Sequence, residues 1–401
     1  MKYGFLTTLI PKHMEESVRQ RSRYNMQDAA NSLQWHIYEG LCANIEDEIK
    51  IFNILPIGSF PQYYSKAFVS TSTFDDDQNK RHVNIGFCNV KLLRKWHQPK
   101  KIFARLNRWC SADDEPKTLF VYTFSGHFVA AVSKLKSKYP SLKVCFIVAD
   151  LPDMTNLSSK RSLANKLFEK RMASSSYSRI DCADAFVLLT RQMADYMKIT
   201  QPFVVMEGIS TNTEALEKQQ NDDIKRILYT GTLHKKFGVL NLVEAFGMIN
   251  DESYRLIICG VGDSAEEIKK AAAADPRIEF KGQLRRDEVL ALQKKASVLV
   301  NPRQNNEEFT KYSFPSKNLE YLSSGIPLVA YKLDGIPDEY DRYINYVSDN
   351  SMEALRDKLV EIGEDANGSA SARAEEAVRF VREEKNSRKQ TLKIKKMLEA
   401  L

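Results

Sequence analysis

The second half of the chain alternates between short apolar runs, rich in β-branched residues, and amphipathic helical stretches. Its strand candidates, such as 254–260 (YRLIICG) and 297–302 (SVLVNP), are continuous apolar runs that contain almost no alternating polar residues. Strands of this kind have both faces buried, which is typical of a parallel sheet with helices on each side. The pattern therefore predicts a doubly wound α/β domain.

The predicted elements of this half follow one another without a break. The strands are 225–231, 254–260, 278–282, 297–302 and 327–331, and the helices are 239–249, 264–274, 287–296 and 316–324. Asp287 is expected to cap the third of these helices.

The first half follows the same scheme less regularly, and its pattern predicts a second Rossmann-like domain. Its strand candidates are 2–10, 48–57, 118–126, 142–152 and 185–190. A chain of 401 residues is longer than one core usually supports, and 43% apolar residues provide enough material for two cores.

The boundary between the domains is expected between residues 200 and 224, where Pro202, Gly208 and the polar run 217–223 lie. We place the first domain at 1–205 and the second at 206–380. Residues 381–401 are predicted to form a basic helix that could pack back on the first domain.

The cysteines are scattered, without CxxC spacing and without a matching histidine cluster, which argues against a disulfide framework and a zinc site. They are interpreted as thiols in a reducing compartment. The first residues lack the pattern of a signal peptide, and no segment approaches 18 consecutive apolar residues. We therefore expect a cytoplasmic protein that is soluble or peripheral on the inner face of the cell membrane.

The net charge of +7 is a mild excess that is concentrated in residues 91–110 (KLLRKWHQPKKIFARLNRWC). Basic residues that include Lys95, Lys100 and Lys101 alternate there with Trp96 and other apolar residues. This pattern suits an anionic membrane surface. The alternative is a solvated helix with Trp96 and Trp109 in the core. No nucleic-acid recognition motif accompanies the cluster, so we expect no nucleic-acid partner.

Residues 313–327 (SFPSKNLEYLSSGIP) combine a helix start with an isolated carboxylate. Pro315 is expected at the first helical position, and Gly325 follows the helix end. Leu319 and Leu322 are expected to face the core.

The opposite face of this helix presents Ser316, Lys317 and Glu320, which are three and four residues apart. The helix start, the Ser316 hydroxyl and the Lys317 charge favour an anion such as a diphosphate. Glu320 lies one helical turn away, roughly 5.4 Å, where a carboxylate could accept hydrogen bonds from two ribose hydroxyls. The alternative is that Glu320 simply pairs with Lys317 at the surface.

Loops after the other strands add polar groups at the same edge of the sheet, where ligands bind in open parallel sheets. These groups are Gly231, Thr232, Lys235, Lys236 and Gly238 after the first strand, Gly260, Gly262 and Asp263 after the second, and Arg303 after the fourth.

Several longer segments resemble those of a known protein family. They are YTGTLHKKFGVLNLVEAF, IICGVGD, IEFKGQLRRDEVLALQKKASVLVNPR and SFPSKNLEYLSSGIPLVAYKLDGIPDEY, with VADLPDM and VVMEGI in the first half. With these segments the chain resembles the family 4 retaining glycosyltransferases of the GT-B fold, most strongly over 226–340. The resemblance implies two Rossmann-like domains that face each other across a cleft, a nucleotide-sugar donor in the second domain and an acceptor in the first.

The resemblance also implies roles for single residues. Lys236, with Lys235 and Arg303, would neutralise the leaving diphosphate, while Ser316 and Lys317 bind its oxygens and Glu320 holds the ribose. The loop after Gly282 would meet the base through backbone groups. No metal or other cofactor is expected, because fixed cations and helix-terminal N–H groups can stabilise the departing charge.

One position departs from the family. Many members have a glutamate eight residues before the ribose carboxylate, in contact with the donor sugar, whereas this chain has Tyr312. Glu307 and Glu308 are near but out of register, so the contacts with the donor sugar are not transferred.

In the first half, Asp150 follows a strand and could orient the acceptor hydroxyl or act as a base, with a turn cap as the alternative. His127 is a second candidate, with a plain helix-start histidine as its alternative. Glu207 and Gly208 lie at the predicted boundary and are equally compatible with a simple turn.

Two weaker signals are set aside. Gly260-x-Gly262 lacks the third glycine of a dinucleotide fingerprint. The run 75–77 contains the DxD pattern of metal-dependent glycosyltransferases, but it lies in a polar stretch and is interpreted as a solvated loop.

The sequence thus predicts a glycosyltransferase that moves a sugar from a nucleotide sugar to a glycan or lipid-linked saccharide, with retention, in bacterial polysaccharide biosynthesis. The alternatives are a catalytically inactive nucleotide-sugar-binding partner of another transferase and a GT-B epimerase.

Overall fold

The computed structural model describes residues 1–23, 28–154, 171, 173–210 and 223–401. These residues form two compact units. Unit 1 contains Met1–Ile209 and Ser387–Leu401, and unit 2 contains Ser210–Asn386. Part of the boundary predicted between residues 200 and 224 lies outside the described residues.

Unit 1 contains one large sheet and a separate pair of strands. Its strands are β1 (Lys2–Thr7), β2 (Ile49–Asn53), β3 (Phe68–Val69), β4 (Ser72–Asp75), β5 (Arg81–Asn84), β6 (Phe87–Cys88), β7 (Lys117–Tyr122), β8 (Lys143–Val148), β9 (Ala185–Leu188) and β10 (Phe203–Val205). The described helices are α1 (Glu15–Arg21), α2 (Asp28–Asn44), α3 (Lys91–Cys110), α4 (Gly126–Lys138), α5 (Gln192–Met197) and, near the end of the chain, α12 (Ser387–Glu399).

The strand order of this sheet is β10-β9-β8-β7-β1-β2-β5-β4, and β3 and β6 form a separate pair. Neighbouring strands are parallel except for β4 and β5. All six residues of β7 are buried. Because successive side chains point to opposite faces, this strand is covered on both sides.

Unit 2 has a smaller sheet of six strands. They are β11 (Lys225–Thr230), β12 (Tyr254–Cys259), β13 (Ile278–Gly282), β14 (Val298–Asn301), β15 (Leu328–Ala330) and β16 (Asn345–Tyr346). The helices are α6 (Val239–Gly247), α7 (Ala265–Ala274), α8 (Arg286–Lys294), α9 (Ser316–Leu322), α10 (Met352–Glu364) and α11 (Ser369–Glu384).

The order of this second sheet is β13-β12-β11-β14-β15-β16, and all neighbours are parallel. This is the strand order of the Rossmann fold, in which the direction of winding reverses between the first and fourth strands. The reversal opens a crevice at the carboxyl ends of β11 and β14, which is where a ligand is expected.

Several details of the predicted helices are wrong. Pro315 is the residue before the first turn of α9, not its first helical residue, and α9 ends at Leu322. Arg285 precedes α8, and Glu288 accepts from the Arg285 backbone N–H, so Asp287 is not the cap. Residues 381–401 contain the end of α11 and all of α12, and α12 packs against α2 in unit 1.

The polar run 75–77, expected to be a solvated loop, is partly structural. The Asp76 side chain is buried and accepts a hydrogen bond from the Tyr38 hydroxyl at 2.6 Å. It also lies 3.3 Å from Nε2 of the fully buried His82. Burial opposes the charged carboxylate, but hydrogen bonds from Tyr38, the Lys80 N–H and His82 lower the pKa of Asp76. Asp76 therefore anchors the β4–β5 hairpin to α2.

Candidate functional site

The loops that follow β11, β12 and β13 are joined by backbone hydrogen bonds at the carboxyl edge of the unit 2 sheet. The Gly231 N–H donates to Cys259 at 3.0 Å, and the Gly260 N–H donates to Gly282 at 2.7 Å. The Leu233 N–H donates to Val261 at 2.9 Å. The structure therefore brings together the predicted residues Gly231, Thr232, Gly262 and Gly282.

Two of the glycines at this edge are required by close backbone contacts. Gly260 has a φ of 145°, and an added Cβ would lie 1.8 Å from the Gly231 carbonyl oxygen. Gly238 has a φ of 75°, and its Cβ would lie 2.0 Å from the Pro302 carbonyl oxygen. Only glycine fits both the conformation and the space at these positions.

Helix α9 is fixed to the same edge by side chains that the sequence did not single out. The fully buried Tyr321 hydroxyl accepts from the Thr230 N–H at 2.9 Å and donates to the Thr230 carbonyl at 3.0 Å. Asn301, at the end of β14, donates to the buried Asn318 at 2.7 Å. These bonds hold the start of α9 beside the crevice between β11 and β14.

Glu320 is held on both of its oxygens. Lys317 Nζ donates to Oε2 at 2.8 Å, and Nε2 of the buried Gln293 donates to Oε1 at 3.1 Å. The ion pair that the sequence offered as the alternative is therefore present in the protein without a ligand. Lys317 and Glu320 each remain about a third exposed, so the pair is open to solvent and contributes little to stability.

The predicted phosphate-binding cations differ in their partners. Lys235 pairs with Glu267 at 2.7 Å, and Lys236 pairs with Glu307 at 3.0 Å. Ser316 is exposed at the start of α9, which is only seven residues long. The dipole of so short a helix is weak, so side-chain cations must supply most of the attraction for an anion.

Arg303 is the exception among these cations, because in the described part of the chain it has no carboxylate partner. Its guanidinium group lies 4.1 Å from the centre of the Phe237 ring and 5.5 Å from that of Phe309. A hydrogen bond to Ser313 Oγ is long, at 3.5 Å. Burial lowers the pKa of Arg303 to about 10, and the nearby Tyr229 opposes this shift. The side chain still carries its charge at pH 7, and no described carboxylate is placed to neutralise it.

Tyr312 ends a short 3-10 helix, Glu308–Tyr312, and its side chain is partly buried. Glu307 precedes that helix and is the partner of Lys236. A carboxylate is thus present near the cations, but it neutralises Lys236 and does not occupy the position of Tyr312.

The two candidates of unit 1 follow neighbouring strands of its sheet. Asp150 lies after β8 and is exposed, yet desolvation by the surrounding protein raises its pKa to about 6. His127 lies in the first turn of α4, after β7. Burial lowers the pKa of His127 to about 4, and the positive charges of Arg94 and Lys95 add to the effect. At pH 7 Asp150 is mostly ionised and His127 is neutral.

The first part of α3 presents an exposed apolar surface. Leu92, Leu93 and Trp96 are 72%, 56% and 74% exposed. They share one face of the helix, and Lys95, Lys100 and Lys101 lie next to them in the helix. Trp109 behaves differently, since it packs on Phe52 with ring centres 5.5 Å apart. The alternative that placed Trp96 in the core is wrong.

In the described part of the chain, no group of three or more histidine, cysteine, aspartate or glutamate side chains is placed to hold a metal ion. No helix there has the length and apolar character needed to cross a membrane. None of the six cysteines forms a disulfide.

Comparison with known proteins agrees with this architecture. Residues 224–365 match the family model described as "Glycosyl transferases group 1". No curated protein sequence matches the chain significantly. Among solved structures, sucrose-phosphate synthase from Thermosynechococcus elongatus aligns with a TM-score of 0.68 at 13% identity, over 100% of this chain and 99% of that one.

Two further structures align over the full chain. The lipopolysaccharide outer core galactosyltransferase WaaB in its apo form has a TM-score of 0.63 at 14% identity, over 100% and 99% of the two chains. HepE of Anabaena, in complex with UDP, has a TM-score of 0.60 at 13% identity, over 100% of both chains.

The chain has the GT-B fold. Its two sheets belong to Rossmann-like domains, as predicted, and the domain match over 224–365 identifies a transferase enzyme. Membership of family 4 and retention of configuration stay predictions.

Proposed function

We propose that this GT-B protein transfers a sugar from a nucleotide-sugar donor to a saccharide acceptor, with retention of configuration. The main support is the mostly buried Arg303, a cation without a carboxylate partner among the described residues, at the Rossmann switch point of a group 1 glycosyltransferase domain. A buried charge that lacks a counter-ion is costly, and a diphosphate supplies the missing negative charge.

The donor would bind along the carboxyl edge of the unit 2 sheet. Its diphosphate contacts Arg303, Lys236 and Lys317, and its ribose hydroxyls donate to Glu320. The base lies against backbone groups of the loop after Gly282. The UDP complex of HepE supports a nucleoside diphosphate as the ligand class.

Donor binding requires two ion pairs to open. Lys317 leaves Glu320, and Lys236 leaves Glu307, so that each lysine faces a phosphate oxygen. All four side chains are about a third exposed, and ion pairs of this kind contribute only ~0–1 kcal/mol each. Opening the two ion pairs therefore costs little free energy, and it frees the Glu320 carboxylate to bind the ribose.

The proposed chemistry needs no protein nucleophile and no metal. Cations fixed at the crevice stabilise the charge that develops on the departing diphosphate. The acceptor hydroxyl attacks from the side on which the diphosphate leaves, and its proton passes either to a phosphate oxygen or to a protein carboxylate.

Unit 1 would bind the acceptor, with Asp150 orienting its hydroxyl or serving as the base. Since burial raises the pKa of Asp150 to about 6, its carboxylate loses charge as the pH falls through this value. We expect the transfer rate to fall about tenfold from pH 7 to pH 5, the ratio of ionised carboxylate at the two pH values.

A pH–rate profile measures this decrease of the transfer rate at acidic pH, the acidic limb of the profile. Asp150→Asn should remove this limb. Asp195→Asn, an exposed aspartate of α5, is the matched control and should keep the limb. A limb that persists in Asp150→Asn would show that another group titrates.

The acceptor is proposed to be a glycan or a lipid-linked saccharide in bacterial polysaccharide biosynthesis, in keeping with the lipopolysaccharide enzyme among the structural neighbours. A lipid-linked acceptor lies at a membrane, and the surface of Leu92, Leu93 and Trp96 with its lysines suits an anionic bilayer. The protein would then lie on the cytoplasmic face of the membrane.

For this surface we expect Lys100→Glu/Lys101→Glu to weaken binding to anionic vesicles, measured by sedimentation, at least about 30-fold, since each lysine near a bilayer is worth ~1 kcal/mol. Lys294→Glu/Lys295→Glu in unit 2 changes the net charge equally and serves as the control. Equal sedimentation of both variants and the unmodified protein would remove the membrane from the proposal.

The proposed function is tested by incubation with a panel of nucleotide sugars. We expect one donor to raise the melting temperature, because ligand at 100 times its dissociation constant adds about 2.7 kcal/mol. The protein should slowly release nucleoside diphosphate from the same donor. This release should be faster when an acceptor is present.

Tyr312, in place of the expected glutamate, favours a second candidate, a nucleotide-sugar-binding partner without activity. Stabilisation by a donor with no release of nucleoside diphosphate would support it. Conversion of the donor to another nucleotide sugar would instead identify an epimerase.

A further inference from the structure

A cavity of about 500 Å³ lies in unit 1 at the amino ends of β1, β2 and β7. Its size is within the range of small-molecule sites. It is at the edge opposite to the carboxyl ends, where Asp150 and His127 lie, and β1 alone separates the two edges by roughly 20 Å. The cavity is therefore distinct from the proposed acceptor site.

Two arginines from the last turns of α3, Arg105 and Arg108, line this cavity. Neither has an ion-pair partner among the described residues. Burial lowers the pKa of Arg105, and the positive charge of Arg108 adds to this effect. By contrast, Lys2 on the same wall pairs with Asp113 and Glu115. A positive charge is favourable at the carboxyl end of a helix, and this explains one basic residue in the last turns of α3. It does not explain two guanidinium groups at one wall of the cavity.

Aromatic side chains line the same space. The Trp109 ring packs on Phe52 with ring centres 5.5 Å apart. It also lies against Gly4, where an added Cβ would come within 3.1 Å of the ring. Tyr3 forms a further part of the wall. The rings are held by the sheet and offer an apolar surface beside the arginines, which suits a ligand with both a ring and an acid group.

A second cavity, of about 220 Å³, shares Met1 and Tyr3 with the first. Lys143 and Lys395 line it, and α12 closes one side. The two cavities are therefore neighbours at the amino edge of the sheet. A chain of several units can contact both, whereas a single compact ligand contacts one.

The walls also contain acids, since Asp47 and Glu48 line the larger cavity. Carboxylates accept hydrogen bonds from hydroxyl groups, but they repel a ligand with a charge on every unit of its backbone. A hydroxyl-rich chain with separated acid groups can donate hydrogen bonds to these carboxylates and has a low density of negative charge. A single-stranded nucleic acid has a negative charge on every unit and is repelled.

We propose that the amino edge of the unit 1 sheet is a second saccharide site, which binds an acidic oligosaccharide with its carboxylates on Arg105 and Arg108 and its rings against Trp109. This site is separate from the donor and acceptor sites and is independent of the proposed function. It would hold an acidic glycan chain on the enzyme without taking part in bond formation.

The test is calorimetric titration of the full chain with a tetrasaccharide of alternating glucuronate and N-acetylglucosamine, in which every second ring has a carboxylate. We expect saturable binding that Arg105→Gln/Arg108→Gln weakens at least about tenfold, because charge-assisted bidentate hydrogen bonds are lost. The methyl ester of the same oligosaccharide should bind as weakly to the unmodified protein.

Matched variants separate this site from general attraction. Lys100→Gln/Lys101→Gln removes the same charge from the same helix and should leave binding unchanged. Arg105→Lys/Arg108→Lys should bind with intermediate affinity if the forked geometry matters. A cooperative thermal unfolding transition at nearly the same temperature in every variant would show that the chain is folded.

Three results would overturn the inference. They are absence of saturable binding, equal weakening in both glutamine double variants, and tighter arginine-dependent binding of a thymidine oligonucleotide than of the acidic tetrasaccharide.

Discussion

Replacement of Arg303 by alanine is expected to reduce donor-dependent release of nucleoside diphosphate by about 100- to 1,000-fold, the loss seen when one donor to a developing negative charge is removed. Arg303 stacks on Phe237 and Phe309 and has no acidic partner among the described residues. Its position is thus defined before the ligand arrives, and its charge is available to the diphosphate. Steady-state kinetics with saturating donor measures the effect.

Two variants make this result specific. Arg303→Lys keeps the charge but loses the planar group that stacks on the rings, and an intermediate rate is expected. Arg342→Ala removes an exposed arginine of the same domain and should leave the rate unchanged. A stable Arg303→Ala protein with full activity would show that Arg303 has only a structural role.

Glu320→Gln is expected to weaken binding of the nucleoside diphosphate by roughly 1–3 kcal/mol, because a charged acceptor of the ribose hydroxyls is lost. Glutamine has nearly the same shape and can still accept from Gln293. Equilibrium binding measures the change. Glu266→Gln is the matched control, since Glu266 forms an exposed pair with Lys269 at the same spacing on α7, at 2.7 Å.

An analogue without ribose hydroxyls separates the two roles considered for Glu320. If Glu320 binds the ribose, the 2′,3′-dideoxy form of the ligand should bind Glu320→Gln and the unmodified protein with equal affinity. If Glu320 only pairs with Lys317, the substitution should change the affinity for both forms of the ligand by the same amount.

Local sequence patterns were sufficient to predict the elements of unit 2 from β11 to β15 to within two residues at each end. These strands are continuous apolar runs, and the helices between them have clear amphipathic faces. In unit 1 the short strands β3 to β6 and β10 were missed. Two of them have only two residues, and β4 is exposed at three of its four positions. Such strands lack the repeated apolar residues from which a strand is predicted.

The candidate site could be predicted only in part. Residues that follow strands were found because strand ends are visible in the sequence. Tyr321 and Gln293 were missed because their partners, Thr230 and Glu320, lie 91 and 27 residues away. The same applies to Asp76, which contacts Tyr38 across 38 residues. Such pairs depend on the tertiary fold, and no local pattern indicates them.

The pairing of the lysines also required the structure. The sequence predicts that Lys235, Lys236 and Lys317 all contact the diphosphate, whereas each has an acidic partner in the protein. Lys235 is directed to Glu267 on α7, so it is the least suited of the three to contact a diphosphate. Arg303 alone of the predicted cations has no such partner in the described ranges.

The most direct test is a crystal structure of the protein with the nucleoside diphosphate of its best donor. We predict that the phosphate oxygens contact the Arg303 guanidinium, that Lys317 has left Glu320, and that the Glu320 carboxylate accepts from the ribose hydroxyls. A nucleotide bound elsewhere, or one bound beside an intact Lys317–Glu320 pair, would contradict the account.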